Sequence, residues 1–302
     1  MPFVLKLRAT VLLILIVAAP AYAQTQIPAY VLQLPESVGD VFIADTSAAT
    51  FYRFKRSSSG VQLESEGYMS IGQRGVGKSK AWDQRTPLGV YFVVDQLDTT
   101  KLHEKYGVTA FPLDYPNTWD RKLKRTGDGI WVHGRLPGGE ARSWYDTDGC
   151  IALPNDDLTA HEDKLVPLVT PVIVTREMRW QDAETMDLLR RELNVAIDAW
   201  ATHNANADLH AYLSLYADDF SYRGMSLNDW ASFRLHSFEQ RGAVEITLDE
   251  MLLLADPEEE GIVLSRFFET MSGPTQGSRT IKRLYWRRND EGEWRIVAED
   301  NG

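Results

Sequence analysis

A single cysteine, Cys150, stands in a chain of 302 residues, so no internal disulfide can staple the fold. Cationic excess is also lacking. The formal balance is −11, and a chain this acidic repels phosphate backbones, which argues against nucleic acid as a partner. There is no internal repeat or low-complexity tract, and His203, His210 and His236 fall without tight metal-ligand spacing. Beyond the N-terminus no apolar run is long enough to span a bilayer. What the N-terminus does carry is Lys6 and Arg8, an apolar stretch over 11–19, and Ala21-Tyr22-Ala23. This order of basic, apolar and small residues predicts a secretory signal over 1–23, cleaved after Ala23. A lone thiol in an exported chain is either buried and inert or kept for its reactivity.

Residues 72–79, GQRGVGKS, fit the phosphate-loop template G-x-x-x-x-G-K-[ST] at every position. That motif works by running straight into a helix whose N-terminal amides cradle phosphate. Here KAWDQRTPLG follows, with Pro87 and Gly89, and then the apolar strand pattern GVYFVVD. So short and broken a segment supplies no crossover helix. The sequence therefore predicts no nucleotide site, and the stretch reads as a glycine-rich loop.

Polar residues 24–37, with Pro28 and Pro35, read as a linker. From 38 to 176 short β-type runs dominate, among them DVFIAD, ATFYRF, GVYFVVD, GIWVHG and PVIVT, with a helix expected over 155–165 capped by Asn155 or Asp156. After a second short linker over 177–184 the period changes. Met186, Leu189, Leu193, Ile197 and Trp200 recur at helical spacing. Two further helices, the last capped by Asn228, precede four strand-like runs over 244–254, 262–271, 280–288 and 294–299. The expectation is two domains, a mainly-β one over 38–176 and an α+β one over 185–302.

The chemistry-bearing segment is GIWVHGRLPGGEARSWYDTDGCIALPND. Strand alternation sends Trp131 and His133 to one face and Ile130 and Val132 to the other. His133 is followed by Gly134, and Cys150 is preceded by Gly149. An imidazole can take the proton of a thiol, provided a further group fixes its tautomer. Gly149 leaves room for a substrate carbonyl, whose developing oxyanion the amides around Cys150 could receive.

These residues resemble the YkuD-type L,D-transpeptidase domain. Its signature is H-G, a variable loop, then [ST]-H-G-C and an apolar residue, matched here by His133-Gly134 and Thr147-Asp148-Gly149-Cys150-Ile151. Arg85-Thr86-Pro87-Leu88-Gly89-Val90-Tyr91 is similar to the family's T-P-x-G-x-Y turn, and Asp114-Tyr115-Pro116-Asn117 to its Y-P-N segment. The resemblance implies a β-rich enzyme acting on peptidoglycan stem peptides in the periplasm, with no metal or organic cofactor. Cys150 would attack the L-centre carbonyl of the third residue and expel D-alanine. His133 would serve as base, oriented by the Gly134 carbonyl. The acceptor would be an amine, as in transpeptidation, or water, as in an L,D-carboxypeptidase. Trp131, Tyr115, Asp148 and Arg142 are the expected substrate contacts. Two positions depart from the pattern. Asp148 replaces histidine, and Ala152 replaces arginine. A carboxylate at 148 should raise the thiol pKa unless a cation compensates, and Arg135 and Arg142 are the candidates. Asp148 also keeps open a third reading, a wall-peptide binding protein without catalysis.

Residues 185–302 resemble a SnoaL-like domain of the nuclear-transport-factor superfamily, carried by WATHNANADLHAYLSLYADDF, Asp229-Trp230 and WRIVAED. The resemblance implies three helices on a curved sheet around a conical pocket. Trp200, Tyr216, Phe220 and Trp230 could line such a pocket for a glycan or peptide, or could be plain core.

Overall fold

A computed structural model of the protein describes residues 26–302 except 59, 137, 139–142 and 274–276. The expected signal over 1–23 and the expected substrate contact Arg142 lie outside the described residues.

Two domains are built as the two periodicities predict. The first is strand-rich. Its main sheet runs Gly60–Tyr68, Thr50–Ser57, Asp40–Asp45, Pro171–Thr175, Gly89–Phe92. Ile151–Ala152, Trp131–His133 and Ala110–Pro112 form a second, three-stranded sheet. Between the sheets lies an apolar core including Phe42, Phe51, Tyr91, Val132, Ile151 and Leu158. The second domain sets the helices Ala183–Ala205, Leu209–Leu213 and Leu227–Arg241 on a six-stranded sheet. Buried Met186, Leu193, Ile197 and Trp200 form the inner stripe of the long helix.

The domains share a core. In Asp40–Asp45, Phe42 and Ala44 face the first domain's interior, while Val41 and Ile43 face the other way. Val172 and Val174 against Ile173 repeat the alternation on the neighbouring strand. That outer face meets Leu252, Leu254, Leu264, Tyr285 and Val297 of the second domain's sheet. A strand buried on both faces reads as a continuous apolar run, which is how VFIA and VIV stand in the sequence.

Several expectations are corrected. The supposed linker 24–37 is folded over its described residues, 26–37. Gln26–Pro28 pairs with Trp180–Asp182, and Val31–Gln33 completes the edge of the second domain's sheet by pairing with Glu245–Ala255. Tyr30 is wholly buried, its hydroxyl bonded to Thr175 Oγ1 and the Glu177 carbonyl. The second linker, 177–184, likewise holds a strand and the start of the long helix. The helix Asn155–His161 begins after Pro154, which makes no side-chain cap. Ser226, not Asn228, caps Leu227–Arg241, through a capping box with Asp229. The four aromatics proposed for a conical pocket are buried side chains. Trp200 Nε1 donates to the Tyr216 hydroxyl at 3.0 Å, and Phe220 and Trp230 pack on the Tyr216 ring. They fill the interior as core, together with Tyr212 and Phe238.

Candidate active site

Two short parallel strands create the site. Ile151 pairs with Val132 and Ala152 with His133, so Cys150 stands level with Trp131 on the adjacent strand. Ile130 and Val132 anchor this ribbon in the core, and Ile151 and Leu153 do the same on the other strand. Alternation therefore presents Cys150 and His133 on one face, diagonally placed. Both line a cavity of about 720 Å³ with Lys78, Trp82, Lys105, Tyr106 and Asp148.

The turn before Cys150 is tightly specified. Gly149 has φ +128°, and a Cβ there would lie 2.7 Å from the Arg85 carbonyl oxygen. Only glycine fits both conditions. Thr147 Oγ1 donates to the Cys150 carbonyl at 2.7 Å and accepts from Gly149 N–H at 3.1 Å. The Gly149 amide is thus already engaged by the Thr147 hydroxyl.

His133 Nδ1 lies 2.6 Å from the Gly134 carbonyl. A carbonyl only accepts, so Nδ1 carries the proton and Nε2 is left as the basic nitrogen. The contact to the Gly134 carbonyl that the resemblance implies is made. Tyr106 holds the ring from outside, edge to face at 5.1 Å, and Trp131 in turn packs on Tyr106 at 4.8 Å. Trp131 therefore supports the site through Tyr106.

Burial keeps both reacting groups neutral. It pushes the Cys150 thiol up to about 11, with Asp148 adding to the rise and the Trp131 amide and Lys105 opposing it. It lowers His133 to about 4, against the pull of the Gly134 carbonyl, and Lys105 and Arg135 lower it further. The resting pair is thiol and imidazole, and the thiol donates to the Gly129 carbonyl at 3.3 Å. A neutral imidazole can accept the thiol proton as the sulfur attacks.

Lys105 is the cation that answers Asp148, at 3.6 Å. Neither predicted arginine is seen to do so: Arg142 is outside the described residues, and Arg135 lies over the Tyr68 ring and donates to Ser70 Oγ at 3.0 Å. Tyr115 is not placed at the cleft. It is buried against Tyr91 with its hydroxyl on the Thr126 carbonyl, so its part is structural.

Asn155 was missed as a site residue. Its Oδ1 accepts from Arg135 N–H at 2.8 Å, and its Nδ2 donates to the Arg135 carbonyl at 3.0 Å. A Cβ on Gly134 or on Gly107 would collide with that Oδ1. One side chain thus clamps the backbone that orients His133 and the turn that carries Lys105 and Tyr106. The only sequence signal was an asparagine shortly after the cysteine, which reads equally as a helix cap.

Lys78 of the glycine-rich loop is buried and paired with Asp83 at 2.8 Å. Burial raises Asp83, but the Lys78 bond and the amides of Lys80, Ser79 and Arg85 outweigh it and hold it at about 2. The phosphate-loop lysine is spent inside the protein.

Residues 39–174 match the family model of the L,D-transpeptidase catalytic domain, and residues 192–300 match that of the Cds6 C-terminal NTF2-like domain. Among solved structures, Bd1075 of Bdellovibrio bacteriovorus is similar with a TM-score of 0.77 at 22% identity, over 92% of this chain and 98% of that one. The helical cell shape determining protein Pgp2 from Campylobacter jejuni gives 0.75 at 22% identity, over 92% and 95%. These likenesses show a fold shared across both domains. No curated protein matches the chain.

Proposed function

Because residues 39–174 form an L,D-transpeptidase catalytic domain joined to an NTF2-like domain, we propose that this protein is a periplasmic cysteine acyltransferase of peptidoglycan stem peptides. One observation carries the reading: His133, its tautomer set by Gly134, shares a strand face and an open cleft with Cys150.

Cys150 Sγ attacks the carbonyl carbon of the third residue while His133 Nε2 takes the thiol proton. The tetrahedral intermediate collapses with cleavage of the C–N bond, and His133 returns the proton to the departing D-alanine amine. A thioester remains. An amine or water then attacks it, gives its proton to His133, and the thiol is restored. With water as acceptor the enzyme trims tetrapeptides to tripeptides, and with an amine it transfers the acyl group. Export rests on the N-terminal pattern and places cleavage after Ala23.

The test is incubation of the mature protein with disaccharide tetrapeptide, followed by mass spectrometry. Tripeptide means hydrolysis, and a cross-linked dimer or an exchanged D-amino acid means transfer. Unchanged tetrapeptide, with activity-independent binding, would leave only a wall-peptide binding protein. N-terminal sequencing of the protein from the periplasmic fraction tests the export step.

A further inference from the structure

The loop after the glycine-rich stretch holds a feature the catalytic chemistry does not use. Trp82 is 95% exposed, the most exposed of the large apolar side chains among the described residues, and it lines the cleft of Cys150 and His133. Its backbone is left-handed, with φ +63°, and Gln84 two residues on has φ +57°. A bulky residue in this region is strained and persists only where its surroundings fix it.

The surroundings do fix it. The Asp83 carboxylate accepts from Ser79, Lys80 and Arg85 amides and from the buried Lys78 ammonium. Ala81 N–H donates to Thr126 Oγ1, and Thr126 N–H to the Ser79 carbonyl. Gln84 Nε2 reaches Asp148 Oδ1 at 3.4 Å, so the loop is also tied to the nucleophile turn. An ion pair to a buried lysine, a ladder of hydrogen bonds and two strained residues together hold one indole out into solvent at the rim. Leaving that ring in water costs free energy that a bound apolar face would recover.

We propose that Trp82 is a stacking platform for a pyranose ring of the glycan to which the stem peptide is attached. This rests on the peptidoglycan reading above. A stem peptide is joined to its sugar at the end away from the scissile bond, and on this proposal that sugar lies over the indole at the edge of the cavity that Trp82 shares with Cys150. The axial C–H groups of a pyranose give it an apolar, weakly positive face that suits the negative face of an indole. The loop that mimics a phosphate cradle is thereby a rigid bracket for a sugar contact. Remote binding of this kind can serve to position the reacting carbonyl.

The experiment compares disaccharide tetrapeptide with the same tetrapeptide freed of sugar, for the wild type, Trp82→Gly and Trp82→Phe. Glycine suits φ +63° and so keeps the loop while removing the ring. In Trp82→Gly the ratio of kcat/KM for the sugar-linked over the free peptide should fall about tenfold, and Trp82→Phe should restore most of it. An unchanged ratio, or a ring acting only in contacts between protein molecules, overturns the proposal. Calorimetric titration of the same two ligands into Cys150→Ala with and without Trp82→Gly gives an answer independent of turnover. Loss of the sugar-linked preference in binding supports the platform even if no cleavage is found, and equal affinities for the two ligands sink it.

Discussion

Arg283 Nη1 of the second domain lies 2.6 Å from Asp114 Oδ2 of the first, while Arg283 Nε holds Asp300 Oδ1 at 2.6 Å. Asp114 also accepts the Phe92 amide, so the guanidinium is wired into the catalytic domain's main sheet. Burial disfavours the Arg283 charge, but Tyr285, Asp114 and Asp300 beside it more than offset that and raise its pKa. Trp119 stacks on Tyr285 at 6.1 Å next to this link. Arg283→Ala would leave two carboxylates buried without their cation. It should destabilise the protein by about 3 kcal/mol, read as a fall in the urea midpoint. A chain ending near residue 180 should fail to fold, because Val41, Ile43 and Ile173 would face water. Limited proteolysis of the truncated chain checks this.

The depressed His133 pKa predicts how activity responds to acid. With folded His133 near 4 and an ordinary value of 6.5, the base stays neutral through mildly acidic pH. The acid limb of kcat/KM in a peptide assay should therefore fall near 4. Stability responds earlier, over the window between the two values. Below 6.5 the unfolded chain binds a proton that the folded site refuses, so stability is lost as pH drops from 6.5 towards 4, by up to about 3 kcal/mol. His133→Gln should flatten that part of the stability profile while abolishing turnover.

For the thiol the folded value, about 11, lies above its ordinary 9. The unfolded chain loses its proton first as pH rises, so the contribution to stability declines from 9 to 11. Alkylation of Cys150 by iodoacetamide should be slow at neutral pH. Lys105→Glu removes a charge that opposes the rise and should slow it further. Asp148→Asn should quicken it. A reversal of either rate change would show that these two residues do not set the field at the sulfur.

Asn155→Ala should lower kcat by about a hundredfold with little change in KM, since it frees the Gly134–Arg135 backbone that aims the imidazole. Asn155→Gln, which keeps both functions on a longer arm, should recover part of the rate. Equal loss of fold stability and rate in both variants would reduce Asn155 to packing alone.

How far these sites were legible depended on what each residue shows locally. His133 and Cys150 could be read because each stands beside a glycine in an apolar run, and the chemistry needs both features. That some acceptor must fix the imidazole tautomer was legible, but Gly134 as that acceptor came only from the family resemblance. Lys105 and Tyr106 left no such trace. They sit in a single 3-10 turn, Glu104–Tyr106, too short for any period to declare its inner side. Tyr115 was misplaced because a motif marks where backbone turns, not where a side chain points. The strand Val31–Gln33 was lost because three residues cannot display alternation, and its partner lies far along the chain. The two-domain division was visible because the change of period near residue 185 is sustained over a long helix.

That N-terminal strand has a consequence for synthesis. Val31 pairs with Leu254 across the whole catalytic domain, so this strand leaves the ribosome long before the partner it must wait for. Until they pair, Glu245–Ala255 has a bare margin, open to any extended chain that reaches it. Shortening the front of this protein would trim no leash. It would leave a seam unsewn in the domain at the opposite end, and the expected symptom is sticking between molecules rather than a slower enzyme.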